Sequence, residues 1–162
     1  MKKGPAIALL LTLALGVGVF LLPHAPEAGE TAAVVAPAAG SDDEKVLAAA
    51  KGLEDGSIPP MQAILSIREV VDANPDHLLG NYYLGYFAIM SNQLDKATER
   101  LEKTLSIDPD YAPAHLLLGD TYAKLGQADK AESHYQEFLQ LSDDENMRAE
   151  VEGKLNELKS NS

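Results

Sequence analysis

Four histidines, His24, His77, His115 and His134, and two copies of the tetrapeptide Ser-Asp-Asp-Glu, at 41–44 and 142–145, are the groups in this 162-residue chain best suited to metal binding or proton transfer. A zinc or catalytic histidine set needs ligands at short spacing or a base beside a nucleophile. No two of these histidines stand at such a spacing, and His24 lies in a Pro/Ala-rich stretch. The two acidic tetrapeptides could act as paired carboxylates. They fit a simpler role better: Ser followed three residues later by Glu is a capping box that opens a helix. Cysteine is absent, which removes disulfides, thiolate metal sites, a cysteine nucleophile and a lipidated cysteine. There is no Gly-rich phosphate loop, and Gly16 and Gly18 fall inside an apolar run. The sequence therefore assigns no catalytic, metal or cofactor residues, and the expected role is binding rather than turnover.

Charge narrows the partners. Of 13 Lys and Arg and 25 Asp and Glu, residues 1–40 hold two of each, so residues 41–162 carry the whole net charge of −12. Such a domain is repelled by phosphate backbones and anionic lipid surfaces, and nucleic acid is not an expected partner. The excess charge also keeps an exported protein soluble.

The chain begins Met-Lys-Lys-Gly and continues PAIALLLTLALGVGVFLL over residues 5–22, uncharged and with only Thr12 polar. As a helix this run is about 27 Å long, near the thickness of a bilayer core. It exceeds a typical secretory apolar region, and the small-residue site after Ala25 is flanked by Pro23 and Pro26. The expectation is an uncleaved N-terminal membrane anchor at residues 1–22, with an exported soluble protein after signal cleavage as the alternative. Lys2 and Lys3 place the N-terminus in the cytoplasm and the rest across the inner membrane. Residues 23–40, rich in Ala and Pro, read as a semi-extended linker of at most about 55 Å.

What remains, residues 41–162, repeats itself. LGYFAIMSNQLDKATERLEKTLSIDP starts at Leu84, and LGDTYAKLGQADKAESHYQEFLQLSD starts at Leu118. Each unit has two apolar-periodic segments separated by a break at Ser91-Asn92 or Leu125-Gly126, which is a helical hairpin. Asn92 and Gly126 suit the left-handed backbone that ends a helix. Gly85 and Gly119 inside the first helix, with Ala97 and Ala131 on the second, indicate helices packed too closely for larger side chains.

These residues resemble the tetratricopeptide repeat (TPR) pattern: large-x-x-Leu-Gly-x-x-Tyr on the first helix, Gly at the turn, Ala then an aromatic on the second, Pro at the end. Residues 112–145 match at Leu118, Gly119, Tyr122, Gly126, Ala131 and Tyr135, and residues 78–111 at Leu84, Gly85, Ala97 and Pro109. Residues 44–77 fit at Ala63 and Pro75, but Leu-Gly is replaced by Ala50-Lys51, and Gly56 with Pro59-Pro60 widens the turn. The fold class is thus all-α: about three tandem hairpins, the first degenerate, closed by an amphipathic cap helix at 146–159 with Met147, Val151, Leu155 and Leu158 on one face.

The binding surface follows from the helical wheel. Leu84 and Ala88 face the second helix, while Leu79, Tyr82, Tyr86, Ile89 and Met90 cluster opposite. The resemblance implies that this opposite face lines a concave groove for a protein or peptide partner, shared with Leu116, Asp120 and Lys124 of the next unit. Ala48 and Gly52 of the first unit are expected beside the tyrosines. Two states of the groove are open: an apolar, tyrosine-floored notch, or one filled by the degenerate first repeat. The resemblance to chaperone-tail-binding TPR proteins stops at the groove cations, because those positions hold Ala48, Gly52, Tyr83 and Pro113. The layout resembles membrane-anchored bacterial envelope TPR proteins, including those of cytochrome c maturation; a homo-oligomeric structural module is the contrasting reading.

Overall fold

The computed structural model describes residues 41–160, so the anchor and linker read at residues 1–40 lie outside the described residues. Among these are seven helices: α1 (Asp42–Glu54), α2 (Pro60–Ala73), α3 (Leu78–Met90), α4 (Leu94–Ile107), α5 (Ala112–Lys124), α6 (Ala128–Leu141) and α7 (Glu145–Ser160). None is long and apolar enough to cross a membrane. Helices α3 and α4 recur as α5 and α6 at the offset that separates Leu84 from Leu118, the period read from the sequence.

Turn chemistry sets this spacing. Asn92 and Gly126 sit at φ 56° and 72°, and each relieves the end of its helix by a tight three-residue connection. The first hairpin is built differently. From Pro60 to Leu94, the starts of α2 and α4, the repeat period holds; from Asp42 to Leu78, the starts of α1 and α3, the offset is two positions longer, because five residues separate α1 from α2. Gly56 turns that longer loop at φ 74° and Ile58 packs back onto Gly52. The shift corrects one expectation: Val46 and Ala50, both buried, take the places assigned to Ala48 and Gly52, and Ala48 is exposed.

Neighbouring first helices touch, α1 on α3 and α3 on α5, and α2 and α4 pack against the first helix that follows each of them. No comparable contact joins α2, α4 and α6 to one another. The stack therefore has an inner layer of α1, α3 and α5 and an outer layer that splays apart. The core between the layers repeats in depth: Ala63, Ala97 and Ala131 are buried at one level, Ile67, Leu101 and Tyr135 at the next. Each of the larger three contributes about 1.5–3 kcal/mol by leaving water.

Both tetrapeptides cap helices, in different registers. Ser41 accepts from the Glu44 N–H at 3.3 Å and opens α1 as expected. In the second copy Ser142 is still closing α6, its N–H bonded to the Phe138 carbonyl, so the cap moves to Asp144. Its Oδ1 accepts from the N–H groups of Asn146 and Met147 at 2.9 and 3.1 Å. Arg148 then donates to the Leu139 and Ser142 carbonyls at the end of α6. Helix α7 buries Val151 and Leu155 on the stack, with Met147 and Leu158 partly covered.

Gly119 is among the closest-packed positions, because a Cβ there would collide with the Cδ1 and Cε1 atoms of the Tyr135 ring. That ring is held by its hydroxyl, which donates to Asp120 at 2.7 Å. Replacing Gly119 by Leu is expected to lower unfolding free energy by more than about 1 kcal/mol in denaturant titrations, as overpacking does. An unchanged midpoint and slope would contradict this packing.

Candidate partner-binding face

The inner face of α3 carries the aromatic cluster. Tyr82 meets Tyr83 and Tyr111 edge to face, with ring centroids 5.2 Å apart in each pair, the orientation that ring quadrupoles favour. Tyr82 is only 5% exposed and Tyr86 9%. Burial, and then neighbouring tyrosines and Glu54, drive the Tyr82 phenol far above its ordinary value. Burial and Glu54 push Tyr86 up to about 12. Burial, and then Glu54, push Tyr83 up as well, so the charge at the end of α1 acts on all three phenols.

These burials bear on the two states of the groove. Tyr82 and Leu116 are part of the core, and α1 packs over α3. Asp120 is likewise occupied. It accepts from Tyr135 and from Lys154 of α7, the latter at 2.8 and 3.1 Å, so it fastens the cap helix to the last repeat. Leu79 and Ile89 are half-buried, Lys124 is exposed, and Met90 at the end of α3 is 65% exposed.

The Tyr86 hydroxyl has no hydrogen-bond partner among the described residues, although it is shut off from water. A buried unsatisfied polar group costs about 1–3 kcal/mol. Two other core tyrosines are satisfied: Tyr122 donates to Glu102 and Tyr135 to Asp120. The inner face thus combines an exposed Met90, half-buried aliphatic neighbours and one orphaned hydroxyl. Its exposed part is suited to an apolar segment, and the hydroxyl meets an acceptor on that segment only if the Tyr86 ring turns outward.

Sequence reasoning misses a second polar construction. Asn81 is wholly buried at the start of α3. Its amide donates to the Pro75 and His77 carbonyls at 2.9 and 3.0 Å, and its Oδ1 accepts from Arg100 of α4 at 3.1 Å. One repeat on, His115 reproduces the arrangement: Nε2 lies 3.0 Å from the Pro109 carbonyl and Nδ1 3.1 Å from Nδ1 of His134. Because a carbonyl only accepts, His115 carries its proton on Nε2, and His134 donates to its Nδ1. The recurrence of Asn/His, Pro and Arg/His at the repeat period is the available signal. His77 does related work, accepting from the Gly80 N–H through Nδ1 and placing Nε2 3.1 Å from Asp43. These histidines are structural joints. Among the described residues no group of three or more His, Cys, Asp or Glu is placed to hold a metal ion.

Burial, and then the neighbouring His115, hold the His134 pKa below its ordinary value, against the pull of Glu102 and Glu137. The unfolded chain therefore takes up this proton more readily, and the stability from neutral His134 is present above about pH 6.5 and lost as pH falls below it. His134→Gln keeps a donor toward His115 and removes the titration. It is expected to show a smaller loss of stability between pH 7.5 and 5 than the parent; equal losses would contradict the assignment.

Comparison with known proteins agrees with this geometry. Residues 88–149 match the sequence profile of the tetratricopeptide repeat. The TPR domain of P58(IPK) superposes with TM-score 0.67 at 22% identity, over 74% of this chain and 33% of that one, so this chain spans about a third of that structure's length. The first TPR of Spaghetti (RPAP3), bound to the HSP90 peptide SRMEEVD, gives TM-score 0.62 at 16% identity over 72% and 92% of the two chains. The Yersinia enterocolitica type III secretion chaperone SycD, in complex with a peptide of the translocator YopD, gives 0.65 at 14% over 74% and 92%. At these identities the likeness is one of fold. No curated protein sequence matches the chain. Residues 41–160 therefore form an all-α stack of tandem helical hairpins with the TPR fold, and residues 88–149 carry the sequence pattern of the tetratricopeptide repeat.

Proposed function

We propose that this chain is a membrane-tethered, non-catalytic TPR scaffold that holds a protein or peptide partner against its inner face. The observation that carries the reading is the orphaned Tyr86 hydroxyl, one helical turn before the exposed Met90. A partner segment that covers Met90 and draws the Tyr86 ring outward onto one of its carbonyls relieves a cost that the free domain bears. Two solved structures of this fold contain peptides, an HSP90 peptide in one and a YopD peptide in the other, and they support a peptide-holding role for the architecture. The tether rests on the sequence: the uncharged run 5–22 after Lys2 and Lys3 orients the repeats toward the periplasm of a bacterial envelope. Assembly of envelope complexes, such as cytochrome c maturation, is a process in which such a holder would serve.

The test is a photoreactive side chain at Met90 in the full-length chain, crosslinked in cells. Capture of a distinct protein is expected, and Tyr86→Phe should weaken that capture several-fold while leaving the free domain as stable as the parent or about 1 kcal/mol more so. Crosslinks only to a second copy would replace this reading with self-association. Capture unaffected by Tyr86→Phe would remove the hydroxyl from the account.

A further inference from the structure

The outer face carries a feature that the inner-face reading does not use. Where α2 and α4 splay apart, a cleft of about 260 Å³ opens, floored by Phe87 and Ala88 of α3 and walled by Arg68, Lys96 and Arg100, with Glu99 also lining it. Three cations against one acid is the reverse of the surrounding domain, which has about two acids for every cation. None of the three is ion-paired among the described residues. Lys96 donates only to Gln93, Arg100 to the neutral amide of Asn81, and Arg68 is exposed with no hydrogen bond. Four lysines elsewhere in the domain are ion-paired, Lys45, Lys103, Lys154 and Lys159.

Beside the cleft, α2 shows an apolar stripe to solvent. Met61 and Leu65 are 68% and 54% exposed, one turn apart, and Ile64 and Arg68 lie on the same side of the helix. Outward-facing methionine and leucine next to uncompensated cations form one surface, apolar at one end and basic at the other.

We infer that this outer surface docks a short amphipathic segment of a protein partner, whose apolar side chain covers Met61 and Leu65 and whose carboxylate enters the cleft between Arg68, Lys96 and Arg100. Charge complementarity selects the carboxylate. A long run of acids is disfavoured, because the rest of the domain repels it beyond the reach of the three cations, about one screening length. The cleft volume suits one or two side chains rather than a folded surface. This site opens between α2 and α4 rather than on the inner face, and touches the Tyr86 ring only through Phe87, whose ring centroid lies 5.5 Å from it.

The test uses the full-length chain and an acetylated, amidated octapeptide library scanned by position. Selection of Glu or Asp within a turn of Leu, Met or Phe is expected. The selected peptide should lose at least tenfold in affinity with R68E/K96E and several-fold with M61A/L65A, and it should be unaffected by K124E or Y86F. The four outer positions are solvent-facing or at the cleft edge, so thermal unfolding of these variants should match the parent, and that is checked in parallel. The proposal is overturned if no octapeptide binds above background, if selected peptides lack an acid, if R68E/K96E binds within twofold of the parent, or if inorganic phosphate at the peptide's own concentration displaces it. A second copy of the chain as the occupant would appear as self-association abolished by R68E/K96E with no peptide selected, and would equally overturn it.

Discussion

The stack depends on a buried amide. Asn81 stands at the entrance of α3, where the TPR pattern places a large side chain, and has no contact with water. Burying an amide is unfavourable unless its hydrogen-bonding groups are used. Here both donor bonds go to carbonyls of the α2–α3 connection and the acceptor takes a charged donor from α4. One side chain thereby fixes the end of one hairpin to the start of the next and sets where its second helix lies. His115 repeats the bond to the preceding proline carbonyl, and His134 takes the place of Arg100. Two different chemistries satisfy the same constraint at the same period.

From this junction the two faces follow. Fixing the hairpins at their inner ends brings α1, α3 and α5 together and leaves α2 and α4 apart. The inner layer is consequently dense, with tyrosines packed edge to face and α1 closed over them. The outer layer is wedged, and its opening is lined by cations. The last hairpin needs closure, and Asp120 supplies it by holding both Tyr135 and Lys154, while Lys159 pairs with Glu132. A carboxylate that looks free on a helical wheel is thus the clasp of the cap helix.

Much of this is legible from the residues. The repeat period, the glycine and alanine contacts, the left-handed turns at Asn92 and Gly126 and the amphipathic α7 all follow from local rules that tertiary packing reinforces. The departures have a common source. A wheel shows which side chains share a face but not what covers that face, so it leaves open whether Tyr82 and Leu116 line a groove or are buried, as they are here. Counting back by one period assumes loops of equal length, and the five-residue α1–α2 loop displaces α1 by two positions. The second Ser-Asp-Asp-Glu suggests Ser142 as a cap, but the preceding helix already uses that residue. The junction network is hidden because Asn81 with Arg100 and His115 with His134 are pairs 19 residues apart built from different residue types, so identity matching does not align them.

A stack of helical repeats keeps its shape only if its hairpins are joined rigidly, and rigidity here is assigned to the buried junction rather than to the aromatic cluster. Denaturant unfolding of the Asn81→Ala variant addresses that assignment most directly. Loss of about 2 kcal/mol or more is predicted, since the Pro75 carbonyl and the Arg100 guanidinium both lose a partner. A change within about 0.5 kcal/mol of the parent would show that the repeats are joined by apolar packing alone and would contradict the account.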